Sequence, residues 1–215
     1  MIIENPAPFL RLFIALAIPT DVRKEMARAQ SQLQRHAPQG AFRWTRPEQF
    51  HVTLKYLGDV PLEQVGPLEK AVSAVCAAFP PLPLAAHGIG FFPGAHKPRV
   101  IWAGAEDNTG RLAELHRQME AAVRVFAPDE RTERFTGHIT LGRFKPGYRG
   151  SINQVLERAT VLQDRHFGDW CASEVEIVRS ELTSQGARHT PLCRCPLRRE
   201  GHAPATIDAM VADAD

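Results

Sequence analysis
The chain has 215 residues, 44% hydrophobic and 23% charged, with 26 Lys and Arg against 24 Asp and Glu for a formal net charge of +2. That is the composition of an ordinary globular protein, and the charge is too mild for bulk nucleic-acid binding, so any phosphate site must be local. No apolar run nears 18 residues, no basic start leads into a long apolar centre, and four cysteines are too few for a disulfide framework, so a reduced, cytoplasmic protein without membrane contact is expected.

Residues 10–18 form a short apolar run that predicts a buried strand. Thr20 then stands where a helix cap is expected, and Val22, Met26, Ala29 and Leu33 recur at helical spacing over 21–36. Residues 42–44 predict a short strand, and 51–57 a better one that stops at Gly58-Asp59. A helix opens at Pro61, with Val65, Leu68, Val72, Val75 and Phe79 as its apolar stripe. Strands follow at 84–92 and 99–103 around a turn at Pro93-Gly94. Then come a helix over 109–126, a strand over 138–144 and a helix over 151–160 capped by Ser151. The last strands are read at 170–182 and 189–197. Cys193 and Cys195 would share one face of the last strand, as two small side chains rather than as metal ligands. Residues 1–199 are expected to form a single bilobal domain and 200–215 a loose tail. Helices alternate with consecutive β stretches, which predicts α+β with antiparallel or mixed sheets.

One four-residue pattern occurs twice. His51-Val52-Thr53-Leu54 stands 87 residues before His138-Ile139-Thr140-Leu141, each in a strand-like setting. Period-2 geometry puts His51 and Thr53 on one face and Val52 and Leu54 on the other, and the second copy repeats this. Each motif thus offers an imidazole and a hydroxyl side by side over an apolar back. Two lobes related by a pseudo-two-fold axis, with the polar faces meeting in a cleft, would follow. One imidazole can take a proton from water while the other gives one to a leaving oxygen, and two hydroxyls can donate to a phosphoryl group. No H-E-x-x-H, paired C-x-x-C, phosphate-loop or dinucleotide fingerprint is present, so neither metal, ATP nor another cofactor is implied.

With both motifs in place, the chain resembles the two-histidine (2H) phosphoesterase superfamily, named for twin H-x-[ST]-x motifs. Within it the resemblance is to the RNA 2′,3′-cyclic phosphodiesterases, also called 2′-5′ RNA ligases. Arg11–Ala15 resembles the opening strand of that family, and Arg43–Gly58 its first motif block. Phe92-Pro93 with Pro98–Gly104 resembles its central hairpin, Arg134–Arg143 its second block and Arg179–Leu182 a late strand. Two positions depart from the pattern: Gly137 stands where Pro is common, and His189 where Tyr is common. The resemblance implies a bilobal α+β fold with two sheets facing a central cleft and helices outside. It implies metal-free hydrolysis of RNA 2′,3′-cyclic phosphate ends to 2′-phosphate, with reversible ATP-independent 2′-5′ joining as an accompaniment. Carried over, His51 and His138 become the acid/base pair, with His138 activating water and His51 protonating O3′ as the preferred split. Thr53 and Thr140 become the phosphate-binding pair.

Arg143 and Tyr56 each lie five residues past a motif histidine. Either could touch RNA, although odd spacing would turn both to the opposite strand face. Arg46, Lys55, Lys97, Lys145 and Arg149 are candidates for a backbone-binding rim, and Trp44, Trp102 and Trp170 read as core anchors. The expected substrate is RNA with a cyclic phosphate end, and the expected state a monomer without a protein partner. Two alternatives are a cyclic phosphodiesterase acting on a small nucleotide, such as an ADP-ribose cyclic phosphate, and a non-catalytic RNA-binding module.

Overall fold
The computed structural model describes residues 8–127, 135–183 and 186–198; the expected tail at 200–215 lies outside them. Among the described residues, strands β1 (Phe9–Ala17), β2 (Phe42–Trp44), β3 (His51–Pro61), β4 (Leu82–Phe92), β5 (Val100–Glu106), β6 (His138–Phe144), β7 (His166–Ala172), β8 (Glu174–Thr183) and β9 (Gly186–Pro196) alternate with helices α1 (Thr20–His36), α2 (Val65–Ala78), α3 (Arg111–Val123) and α4 (Asn153–Val161). Every pairing is antiparallel, in the order β7-β4-β5-β6-β3-β1-β8-β9, with β2 beside β6. The two expected halves are present. They join at β3 and β6 through one residue pair, Val52 opposite Ile139, so the halves form one curled sheet.

The helices cover one face of the sheet. The apolar stripe of α1 is buried as its spacing predicts, and Leu68, Val72 and Cys76 of α2 and Leu112, Leu115 and Met119 of α3 follow suit. These meet Leu12, Ile14, Leu16, Ile101, Ile139 and Ile177 of the strands in one core. Each fully buried aliphatic side chain contributes about 1.5–3 kcal/mol by leaving water. Cys195 is buried beneath α2 with its Sγ 3.5 Å from that of Cys193, so the two share a face as expected, and all four cysteines are free thiols.

Several boundaries differ from expectation. Thr20 is the first residue of α1 rather than its cap; Pro19 holds the cap position, and no side chain bonds there. Ile152, not Ser151, caps α4, although Ser151 Oγ accepts from the amide of Asn153. β3 runs through Gly58, whose positive φ of 71° lets the strand turn without ending. The segment read as one strand over 170–182 is two, β7 and β8, divided at Ser173.

Candidate active site
Both motifs sit where the halves meet. Val52, Ile139 and Leu141 are fully buried and Leu54 nearly so, while His51, Thr53, His138 and Thr140 are partly exposed on the other face. The antiparallel register at Val52–Ile139 sets His51 across from Thr140 and Thr53 across from His138. Each hydroxyl therefore has one imidazole along its own strand and another across the ladder.

The two rings are held alike. His51 Nδ1 lies 2.7 Å from the Gln49 carbonyl oxygen, and His138 Nδ1 lies 2.8 Å from that of Thr136. A carbonyl only accepts, so each Nδ1 carries a hydrogen, and the neutral ring keeps its lone pair on Nε2. His51 Nε2 is 3.1 Å from Thr53 Oγ1. Each imidazole also rests on a phenylalanine: Phe13 with His51 at a centroid distance of 4.7 Å, Phe92 with His138 at 4.9 Å. A second ring completes each wall, His189 at 5.4 Å from His51 and Trp102 at 6.4 Å from His138.

Burial lowers the proton affinity of both rings. His51 falls to about 4, chiefly by desolvation, with the charges of His189, His138 and Arg143 adding to the effect against the Gln49 carbonyl. His138 is lowered by burial and by Arg143, against the Thr136 carbonyl. A cleft of about 540 Å³ opens beside His138, lined by Phe92, Arg99, Thr140 and Arg143 among others. A smaller one of about 240 Å³ lies beside His51, walled in part by Phe13, Gln49 and His189.

Arg143 thus lines the cleft, contrary to the face its spacing implied. The cause is a bulge. Trp102 pairs with Thr140 and Ile101 with Gly142, so Leu141 has no partner on β5 and the alternation reverses. Buried Gln30 secures the bulge by donating from Nε2 to the Leu141 carbonyl at 2.8 Å. Leu54 is skipped in the same way between β3 and β1, which turns Tyr56 to the face of His51. There it packs with Phe13, Ala15 and Val178 while Arg11 donates to its hydroxyl. A third skipped residue, Leu192 in β9, brings His189 to the cleft although Cys193 and Cys195 face the helices.

Other expectations divide. Lys55, read as a rim residue, is 8% exposed and pairs with Glu120 of α3 at 3.2 Å, because the Leu54 bulge turns it inward. Lys97, Lys145 and Arg149 are exposed, as is Arg46. Trp44 and Trp170 pack against the core, but Trp102 lies on the cleft face, over Gly90, where a Cβ would come within 2.2 Å of its indole. At Gly137 a Cβ would come within 2.4 Å of the Ala105 carbonyl oxygen, which accounts for glycine before the second motif. Sequence reasoning missed Arg99, Phe92 and Phe13 as site residues. The twin aromatic supports lie on β1 and β4, and no short-range signal links them to the motifs.

A family model described as LigT-like phosphoesterase matches residues 16–102. The chain is 31% identical over 186 residues to the RNA 2′,3′-cyclic phosphodiesterase of Methanothermobacter thermautotrophicus, covering 85% of this chain and 96% of that one. It is 32% identical to the protein of the same name from Thermus thermophilus, covering 89% and 92%. Among solved structures, a crystal structure of a Thermus thermophilus protein superposes with a TM-score of 0.72 at 28% identity, over 89% of this chain and all of the other.

Proposed function
The chain belongs to the LigT-like phosphoesterase family, and on that premise we propose that it hydrolyses the 2′,3′-cyclic phosphate at an RNA end to a 2′-phosphate. The observation that carries this reading is the matched pair of imidazoles, each with Nδ1 on a carbonyl and the Nε2 lone pair left for proton transfer, set across one ladder step from two threonine hydroxyls, with His51 Nε2 within hydrogen-bond reach of Thr53 Oγ1. The names of the relatives supply the substrate class.

In this reading Thr53 and Thr140 donate hydrogen bonds to the non-bridging phosphoryl oxygens, and Arg143 offsets their charge. His138 borders the wider cleft and so has the better access to water. Its Nε2 takes a proton as the water oxygen bonds to phosphorus, the P–O3′ bond breaks, and His51 passes a proton to O3′. His51 holds its proton weakly, which makes it a strong acid once the phosphate charge has helped to place the proton there. With a strand 5′-hydroxyl in place of water, its oxygen bonding to phosphorus as the P–O3′ bond breaks, the same groups would join RNA ends through a 2′-5′ linkage without ATP.

The test is turnover of a short oligonucleotide ending in a 2′,3′-cyclic phosphate, with the product end identified. A 2′-phosphate supports the proposal. A 3′-phosphate, binding without turnover, or preference for a small cyclic nucleotide over the oligonucleotide would overturn it.

A further inference from the structure
The supports of the two imidazoles match in three respects. Both have a carbonyl two residues upstream, a phenylalanine against the ring and a hydroxyl two residues on. The last ring in the wall differs: an indole beside His138, and a third imidazole beside His51. His189, Phe13 and His51 touch pairwise, with centroids 4.7, 4.9 and 5.4 Å apart. His189 is brought there by the bulge at Leu192, and its buried Nδ1 has no hydrogen-bond partner. Nothing in the proposed chemistry uses it.

We propose that His189 is a positioning residue that makes the two imidazoles unequal: it closes the wall around His51 and, when protonated, opposes a second proton on that ring. The proposal rests on the two-histidine reading above. Two charged imidazoles at this separation, partly screened, repel strongly enough to move one another's titration by about one unit. Trp102 exerts no such repulsion on His138, so the pseudo-symmetric pair is split into a ring that sheds its proton readily and one that keeps it longer.

Other charged or titratable groups also surround His51, and two of them, His138 and Arg143, oppose its proton in the same direction as His189. His138 and Arg143 reach it from β6. Arg23 of α1, Glu48, Glu176 of β8 and Arg194 of β9 line the adjoining pocket. Glu176 is engaged by Arg194 at 3.1 Å, and Glu48 is exposed to solvent. Of these, His189 is the titratable ring packed on His51.

The experiment follows the imidazole titrations of the full chain by nuclear magnetic resonance, alongside kcat/KM against pH. It uses wild type, His189→Phe, which keeps a wall, and His189→Gln, which also removes the charge should the Phe variant fail to fold. The His51 midpoint should rise by about one unit in either folded variant while that of His138 moves much less, and the kcat/KM optimum should move to higher pH. A uniform loss of turnover with no shift in the profile, or an unmoved His51 midpoint, would overturn the proposal. Failure of the acid/base reading is separable: a folded His51→Ala protein with undiminished turnover would refute that reading, while the ring titrations still report the His51–His189 coupling.

Discussion
His51→Gln should change how stability depends on pH, by an amount set by the ring's surroundings. The folded-state proton affinity of His51 is lowered from 6.5 to about 4. At intermediate pH the unfolded chain therefore binds a proton that the folded chain refuses. Stability is fully present above pH 6.5, falls as the pH drops from there, and levels off below about 4. Over that range the ring can withdraw about 3 kcal/mol, most of which is already lost at pH 4.5. Glutamine does not titrate, so the stability difference between wild type and variant should shift by about 2–3 kcal/mol in the variant's favour between pH 8 and pH 4.5. The other lowered imidazoles, His116, His138 and His189, are common to both proteins and largely cancel. Urea unfolding at the two pH values measures this; with a slope of about 2–3 kcal/mol per molar, the relative midpoint should move by about 1 M. Parallel stability curves for the two proteins would show that His51 is not held neutral by burial.

Replacing either His51 or His138 with alanine should lower turnover by ~10²–10⁴-fold, and the double variant should be far less than multiplicatively worse, as single-turnover rates would show. Thr53→Val and Thr140→Val retain shape and lose the hydroxyl. They should weaken phosphate binding, measured as competitive inhibition by inorganic phosphate, while leaving the bell-shaped pH profile in place. Because both motif imidazoles are lowered, the two limbs of kcat/KM should fall below pH 6.5 in the free enzyme, and the kcat profile should lie at higher pH, where bound phosphate raises both rings; a kcat/KM optimum above pH 7.5 would contradict this. Turnover should survive EDTA, since two imidazoles can move the protons and two hydroxyls can bind the phosphate without a metal. Full loss in chelator, restored by one divalent ion, would count against the proton-transfer scheme.

The repeat was legible because its physics is local. A strand two residues per period, with Val52, Leu54, Ile139 and Leu141 in the core, leaves His51, Thr53, His138 and Thr140 on the other face whatever surrounds them. Helices α1, α2 and α3 announced themselves through their apolar stripes in the same way. What the chain concealed was the loss of that period at Leu54, Leu141 and Leu192. A bulge depends on what the neighbouring strand and helix offer, as with Gln30 beneath Leu141, and so leaves little trace in the residues themselves. Counting by twos put Arg143 and Tyr56 on the wrong face and left Lys55 among the rim candidates, although it is drawn inward to Glu120. Phe13 and Phe92 were hidden for another reason: their importance comes from strands far along the chain that meet the motifs only in the folded sheet.

The single step at Val52 and Ile139 has a consequence for the spacing of the imidazoles. Neither half of the sheet alone determines how far apart they stand; the joint does. A displacement of one residue at that joint would turn one whole motif over, sending a histidine and a threonine into the apolar interior and bringing two aliphatic side chains out. A displacement of two would restore the faces but carry the rings about 7 Å past one another. The four aliphatic residues behind the motifs therefore act as registration pins. The oily side of each tetrapeptide, which takes no part in proton transfer, is the gauge that keeps its reactive side aligned with its twin.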